Sequence, residues 1–108
     1  MRKGSVWLAD VPPGVGHEQM GPRPVVVVGT ANGLVTVVPL TTNTRRANFS
    51  HTHLLEPSAS NGLDAPSVAL VFQIKSLDQS RLKRKAGTLS STDMAQIDAL
   101  MADLLGLA

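Results

Sequence analysis

Four consecutive valines, Val25 to Val28, constrain the fold of this chain more than any other feature. β-branched side chains are restricted at χ1, are disfavoured in helices and pack well on a pleated sheet. Because the run is apolar on both of its alternating faces, it predicts a strand that is buried on both sides. Immediately before the run, Pro22 and Pro24 restrict the backbone on either side of Arg23, so the guanidinium is expected at the start of a rigid strand.

A turn and a second apolar segment follow the valines. The first strand is predicted over roughly Pro24–Gly29, and the Asn-Gly pair in Thr30-Ala31-Asn32-Gly33 is the strongest short hairpin signal. Leu34–Leu40 is the predicted return strand. Since a return strand ends beside the start of its partner, we expect Thr41 to lie close to Arg23.

Two interpretations of Arg23 follow from the residues alone. In one, the guanidinium forms an ion pair, for example with Glu18, that fixes the preceding loop. In the other, it binds a phosphate or carboxylate, for which arginine is the preferred side chain, and Thr41 donates a hydrogen bond to the same anion. His17 is either a loop residue or a general base, because histidine titrates near neutral pH.

The rest of the chain predicts a mainly β fold with one helix. Further strands are expected over 4–10, 49–55, 67–74 and 83–89, and one helical turn over 76–82. Ser90 or Ser91 is expected to cap a C-terminal helix that ends at Gly106, with apolar residues at helical spacing. The predicted architecture is a single domain over 1–108, a strongly curved antiparallel sheet or open barrel with this helix on one face.

Charge is distributed unevenly although the net charge is only +2. Arg45 and Arg46 form one basic cluster and residues 81–85 form another, whereas the acids of the last helix lie elsewhere. This pattern is typical of a protein with a polyanionic partner, or of one that uses lysine and arginine for solubility. Aromatic residues make up only 3% of the chain, which argues against a base-stacking platform.

His51 and His53 have the spacing of two metal ligands on one face of a strand. Because only His17 remains as a third histidine and there is no cysteine, we expect a polar strand face and no metal site. No P-loop, nucleophile elbow or dinucleotide fingerprint is present, and no cofactor is expected. The sequence has no signal-peptide pattern and no apolar run of about 20 residues, which predicts a cytoplasmic protein without membrane contact.

Several motifs, taken in order, resemble the MazF/PemK toxin family. The most specific is Gly-x-Glu-Gln-x-Gly-x-Arg-Pro at 16–24, followed by Pro-x-Thr-Thr at 39–42. Similar segments lie at 4–13, at 67–78 and at 87–89, so the resemblance covers nearly the whole chain.

The resemblance implies an SH3-like barrel that works as a homodimer and cleaves single-stranded RNA, specifically mRNA, at short sequences without a metal. The implied products are a 2′,3′-cyclic phosphate and a 5′-OH end. The catalytic arginine and threonine of the family fall on Arg23 and Thr41. A disordered segment of a cognate antitoxin is the implied inhibitor, and the complex with the antitoxin is implied to bind DNA. The implied RNA-binding residues are His17, Glu18, Gln19, Gly21, Pro22, Thr42, Asn43, Gln73 and Lys75.

Two alternatives belong to other functional classes. One is a toxin of the CcdB type, which is similar in fold but poisons DNA gyrase by binding, and the other is a catalytically silent member that binds RNA or an antitoxin. The pair Arg23 and Thr41 favours the nuclease, because a gyrase-binding toxin has no need of it. The chain departs from the family at Ser5, where the family usually has aspartate, and this affects local hydrogen bonding rather than the catalytic pair.

Overall fold

Antiparallel strands and one C-terminal helix make up the part of the chain that the computed structural model describes, residues 1–12 and 21–107. The strands are β1 (Ser5–Val11), β2 (Gly21–Ala31), β3 (Leu34–Thr41), β4 (Thr52–Leu55), β5 (Ser67–Leu70), β6 (Lys75–Asp78) and β7 (Leu82–Thr88). The helix α1 spans Ser91–Leu104, and three short 3₁₀ turns lie at Thr44–Asn48, Val71–Gln73 and Gln79–Arg81. No helix among these residues is long and apolar enough to cross a membrane.

The sheet runs in the order β4-β5-β3-β2-β1-β7, with β6 paired to β3 beside β5. Every neighbouring pair is antiparallel. The sheet is strongly curved into a half-barrel, and the expected mainly β architecture with one C-terminal helix is confirmed. Strand β7 lies at the edge of the sheet and carries three exposed cations, which is a usual protection of an open edge.

The central hairpin forms where the sequence predicts it. Val26 pairs with Val38 and Ala31 pairs with Leu34, so a two-residue loop joins the strands. Both loop residues have positive φ, 54° at Asn32 and 79° at Gly33. This is the backbone of a type I′ turn, whose twist matches that of the flanking strands, and it explains the Asn-Gly sequence.

Each face of the sheet buries its own apolar cluster, and the valine run contributes to both. Alternate valines point to opposite sides of the sheet. Val26 lies on the side of α1, in the same apolar cluster as Ile97, the fully buried residue of that helix. Val25 and Val27 pack on the other side against Leu77 of β6. Burial on both faces is what an unbroken β-branched run is suited to.

Local signals define both ends of α1. The Ser90 hydroxyl oxygen accepts the backbone N–H of Asp93 at 3.1 Å, which makes Ser90 the N-cap. At the other end, Gly106 has φ +71° and the N–H of Leu107 donates to the Ala102 carbonyl at 2.7 Å. This hydrogen bond and the left-handed glycine form a Schellman motif.

The strand predicted over 49–55 begins later than expected, at the start of β4. His51 precedes it with φ 58°, a left-handed conformation that breaks the alternation with His53. The two histidines therefore do not share one regular strand face. The strand predicted over 67–74 also ends early, because the chain turns at Val71–Gln73.

Aspartates of α1 contact both of these histidines. The distance from His53 Nε2 to Asp93 Oδ1 is 2.9 Å, and that from His51 Nε2 to Asp103 Oδ2 is 2.7 Å. Asp98 pairs with Lys3 at 3.0 Å. The acids of the helix thus fasten it to the sheet and to the N-terminal segment, instead of forming an unpaired acidic face.

The helical turn predicted over 76–82 is wrong. The chain forms β6 there, followed by the 3₁₀ turn Gln79–Arg81. Leu77 is buried opposite Val35 of β3, so the strand depends on a partner that lies some 40 residues earlier in the chain.

Candidate active site

The candidate site lies where β3 leaves β2. The pairing of β2 with β3 begins at Val25 and Pro39, and the N-terminal part of β2 is paired only with β1. On its side facing β5, β3 ends with Thr41 opposite Val68. The two ends of the hairpin strands therefore form a fork, bounded by β1 on one side and by β5 on the other.

The two prolines explain why the fork can form. A proline has no N–H and removes one hydrogen bond from a ladder, so prolines in sheets occur where a strand edge is unpaired. Pro22 and Pro24 flank Arg23 in the part of β2 that lacks a β3 partner. Their rings restrict φ, so they limit the conformations of Arg23 while leaving the space beside it open.

Arg23 and Thr41 line one pocket of about 230 Å³ in this fork. Extending the register from Val25 and Pro39 by two residues on each strand places Arg23 opposite Thr41, as the hairpin argument predicts. Both residues are half-buried. A guanidinium and a hydroxyl that face a small open pocket can together donate hydrogen bonds to an oxyanion.

Thr41 is oriented by the turn that follows it. Its hydroxyl oxygen accepts the backbone N–H of Asn43 at 3.2 Å. The Asn43 side chain in turn accepts the N–H of Arg45 at 3.3 Å and caps the 3₁₀ turn Thr44–Asn48. A hydroxyl that accepts one hydrogen bond can still donate its own proton, so Thr41 can donate to an anion bound in the pocket.

Four of the residues predicted for the site line this pocket: Pro22, Arg23, Thr41 and Thr42. Asn43 adjoins it through the hydrogen bond to Thr41. Gln73 is buried in the turn after β5 and Lys75 is half-buried at the start of β6, and neither lines the pocket. His17, Glu18 and Gln19 lie outside the described residues, and Gly21 is the first residue of β2.

Three further residues line the pocket that the hairpin argument did not identify, namely Pro24, Leu40 and Ser67. Ser67 is buried and its hydroxyl donates to the Ala65 carbonyl at 3.0 Å. It reaches the pocket because β5 pairs with the end of β3, which is a non-local contact. The apolar run that begins at Ser67 signals a strand but does not indicate its partner.

Comparison with known proteins gives one consistent family. Residues 2–105 match the family described as PemK-like, MazF-like toxin of type II toxin–antitoxin system. The chain is 38% identical to the endoribonuclease MazF of Staphylococcus epidermidis, over 99% of this chain and 92% of that protein.

Solved structures agree with the sequence comparison. MazF from Deinococcus radiodurans is similar with a TM-score of 0.80 and 26% identity, over 96% of this chain and 94% of that one. A MazE–MazF structure from the same organism has a TM-score of 0.69 and 26% identity, over 99% of this chain and 97% of that one. The similarity therefore extends over the half-barrel, the fork and the helix together.

Proposed function

This chain belongs to the family of PemK-like, MazF-like toxins of type II toxin–antitoxin systems, and we propose that it cleaves single-stranded mRNA with Arg23 and Thr41 as its catalytic pair. It is an endoribonuclease, as is its relative from Staphylococcus epidermidis. The observation that carries the proposal is that Arg23 and Thr41 line one pocket at the fork between β2 and β3.

The proposed reaction is an internal transfer at phosphorus. The ribose 2′-oxygen attacks the adjacent phosphate, the bond to the 5′-oxygen of the next nucleotide breaks, and a 2′,3′-cyclic phosphate remains. The 2′-OH loses its proton to a base, and the leaving 5′-oxygen takes up a proton. Arg23 is the residue proposed to take part in this proton transfer, as the resemblance to the family implies, and His17 is proposed to bind the RNA beside the site.

Arg23 and Thr41 act on the phosphate itself. Negative charge on the non-bridging oxygens increases in the transition state, and a guanidinium placed beside them stabilises that charge. Thr41 donates its hydroxyl proton to one of these oxygens and fixes the orientation of the phosphate. In this proposal the side chains of Arg23 and Thr41 orient the phosphate and stabilise its charge, so the proposed reaction needs no metal.

The proposed partners follow from the family. A cognate antitoxin binds the toxin and inhibits it, and the toxin acts in the cytoplasm as a homodimer. Light scattering on the purified chain at micromolar concentration should give twice the monomer mass of 11.4 kDa. A monomer at that concentration would contradict the dimer.

The test of the catalytic pair is cleavage of a single-stranded RNA in the presence of EDTA. The wild-type protein should cleave it and leave cyclic-phosphate ends, which resist periodate oxidation. Removal of one well-placed donor to an oxyanion costs about 100- to 1,000-fold in rate. We therefore expect Arg23→Ala to lose at least about 100-fold and Thr41→Val, which keeps the side-chain shape, about 10- to 100-fold.

Lys3→Ala is the matched control for the loss of one positive charge. Lys3 is half exposed, pairs with Asp98 on α1 and does not line the pocket. Its removal should change the cleavage rate less than threefold. Full activity of a folded Arg23→Ala protein would falsify the catalytic assignment, and RNA left intact by the wild-type protein would overturn the nuclease activity.

A further inference from the structure

A second pocket of about 180 Å³ adjoins the pocket of Arg23 and Thr41. Its walls combine a few aliphatic residues with two charged ones, chiefly Val6, Leu8, Pro24, Leu63, Asp64 and Arg84. The two pockets share three lining residues, Pro24, Thr42 and Ser67. A molecule that binds its phosphate in the first pocket therefore has direct access to the second, which we call the side pocket.

The size of the side pocket limits what it accepts. Pockets that bind drug-sized ligands measure about 300 to 1,000 Å³, so this one suits a single ring system rather than a whole nucleotide. Its walls are apolar over most of their surface, and the described residues that line it include no aromatic side chain. A flat heterocycle with polar edges fits such a slot, with its faces against Leu8 and Pro24 and its edge towards the charged residues.

Asp64 and Arg84 carry opposite charges and come from separate parts of the chain. Asp64 lies in the segment between β4 and β5, and Arg84 lies on β7 opposite Leu8. Both residues are exposed, and neither side chain has a hydrogen-bond or ion-pair partner within residues 1–12 and 21–107. The two side chains thus keep an acceptor and a donor available at one pocket.

The segment that carries Asp64 is held firmly in place. The Asn61 side chain is 2% exposed, accepts the N–H groups of Ser58 and Leu63 at 3.0 Å each, and donates to the Glu56 carbonyl at 2.9 Å. Three hydrogen bonds to the backbone of one loop fix its shape, so this wall of the side pocket is organised before a ligand arrives.

We propose that the side pocket binds the RNA base adjacent to the scissile phosphate, and that Asp64 and Arg84 select a base with both an amino group and a carbonyl oxygen. Guanine and cytosine meet this condition, whereas adenine has no carbonyl oxygen and uracil no amino group. Asp64 accepts from the amino group and Arg84 donates to the carbonyl oxygen. This inference rests on the proposed nuclease function and assigns its base preference.

The test is a cleavage assay on single-stranded RNAs that carry each of the four bases immediately 5′ or immediately 3′ of the cleaved bond. At one of these two positions the wild-type protein should prefer guanine or cytosine by about tenfold or more, since a well-formed pair of hydrogen bonds to a base edge discriminates by that order. Asp64→Leu and Arg84→Met keep a similar side-chain size but remove the acceptor and the donor, so each should reduce the base preference to less than about threefold.

Lys85→Gln is the matched control, because Lys85 is an exposed cation next to Arg84 on the same strand and does not line the side pocket. The base preference of Lys85→Gln should equal that of the wild type. Cleavage with an unchanged base preference in both Asp64→Leu and Arg84→Met overturns the side-pocket proposal alone. A wild-type protein with no preference for guanine or cytosine overturns it as well. Absence of any cleavage by the wild type overturns the nuclease function and this proposal together.

Discussion

Replacing Gly87 by alanine should destabilise the protein because β7 touches another backbone at this residue. A Cβ at Gly87 would lie 2.5 Å from the carbonyl carbon of Asn61 and 2.7 Å from its oxygen. Real Cβ atoms do not come this close to other heavy atoms, and backbone atoms, unlike the end of a flexible side chain, cannot rotate away. Either β7 or the loop that contains Asn61 must move.

The cost can be estimated along both routes. Overpacking in a rigid environment costs about 1 to 3 kcal/mol. If the loop that contains Asn61 moves away from β7 instead, the 2.8 Å hydrogen bond from the Thr88 N–H to the Ser60 carbonyl is lost, which costs about 0.5 to 1.5 kcal/mol. The same movement of the loop would expose Leu63, which is 8% exposed in the folded protein, at a further cost of about 1.5 to 3 kcal/mol.

We therefore expect Gly87→Ala to lose about 2 to 3 kcal/mol of unfolding free energy, or roughly 8 to 20 °C in Tm for a chain of this size. Gly29→Ala is the control, because a Cβ there meets nothing within 4 Å and its φ is not in the left-handed region. That variant should gain up to about 1 kcal/mol. Urea denaturation followed by circular dichroism measures both, and equal stability of the two variants would refute the argument.

Two further predictions concern the helix and a surface carboxylate. Ile97→Ala should lose about 2 to 5 kcal/mol of unfolding free energy and Ile97→Val about 0.5 to 1.5 kcal/mol in urea denaturation, because Ile97 is the fully buried residue of α1. Similar losses for both variants would contradict this, because they would show that the site collapses around the smaller side chain. The pKa of Asp78 lies below its usual value of 3.8, chiefly because the Ser80 N–H donates to the carboxylate, and the Ser80 side chain and Arg81 lower it further. The ionised carboxylate therefore stabilises the fold above pH 3.8, and this contribution is lost as the pH falls through the lower folded pKa. The stability difference between wild type and Asp78→Ala should accordingly shrink as the pH falls below 3.8, and a difference independent of pH would count against the assignment.

Local sequence signals predict the hairpin and the helix because both depend on neighbours in the chain. Asn32 and Gly33 adopt the positive φ values that their turn requires, and Ser90 caps α1 through a residue three positions away. The proximity of Arg23 to Thr41 follows from the same short-range logic, since a hairpin register needs only the position of its turn.

Contacts between distant segments explain what the sequence did not predict. Ser76 and Leu77 alternate between exposed and buried, but a stretch of four residues is too short to distinguish a strand from a helical turn until its partner on β3 is known. Likewise, nothing near Ser67 indicates that β5 pairs with the end of β3 and completes the pocket. Both errors concern strands whose partners lie more than 25 residues away.

Strand β3 is bonded to β2 on one edge and to β6 and then β5 on the other. Backbone amides in such a strand exchange with solvent only when the molecule opens globally. Thr41 ends this strand beyond its pairing with β2 and is paired only with Val68 of β5. The position of this hydroxyl therefore depends on β5, so a change that weakens the pairing of β5 with β3 would disturb the pocket from outside the hairpin.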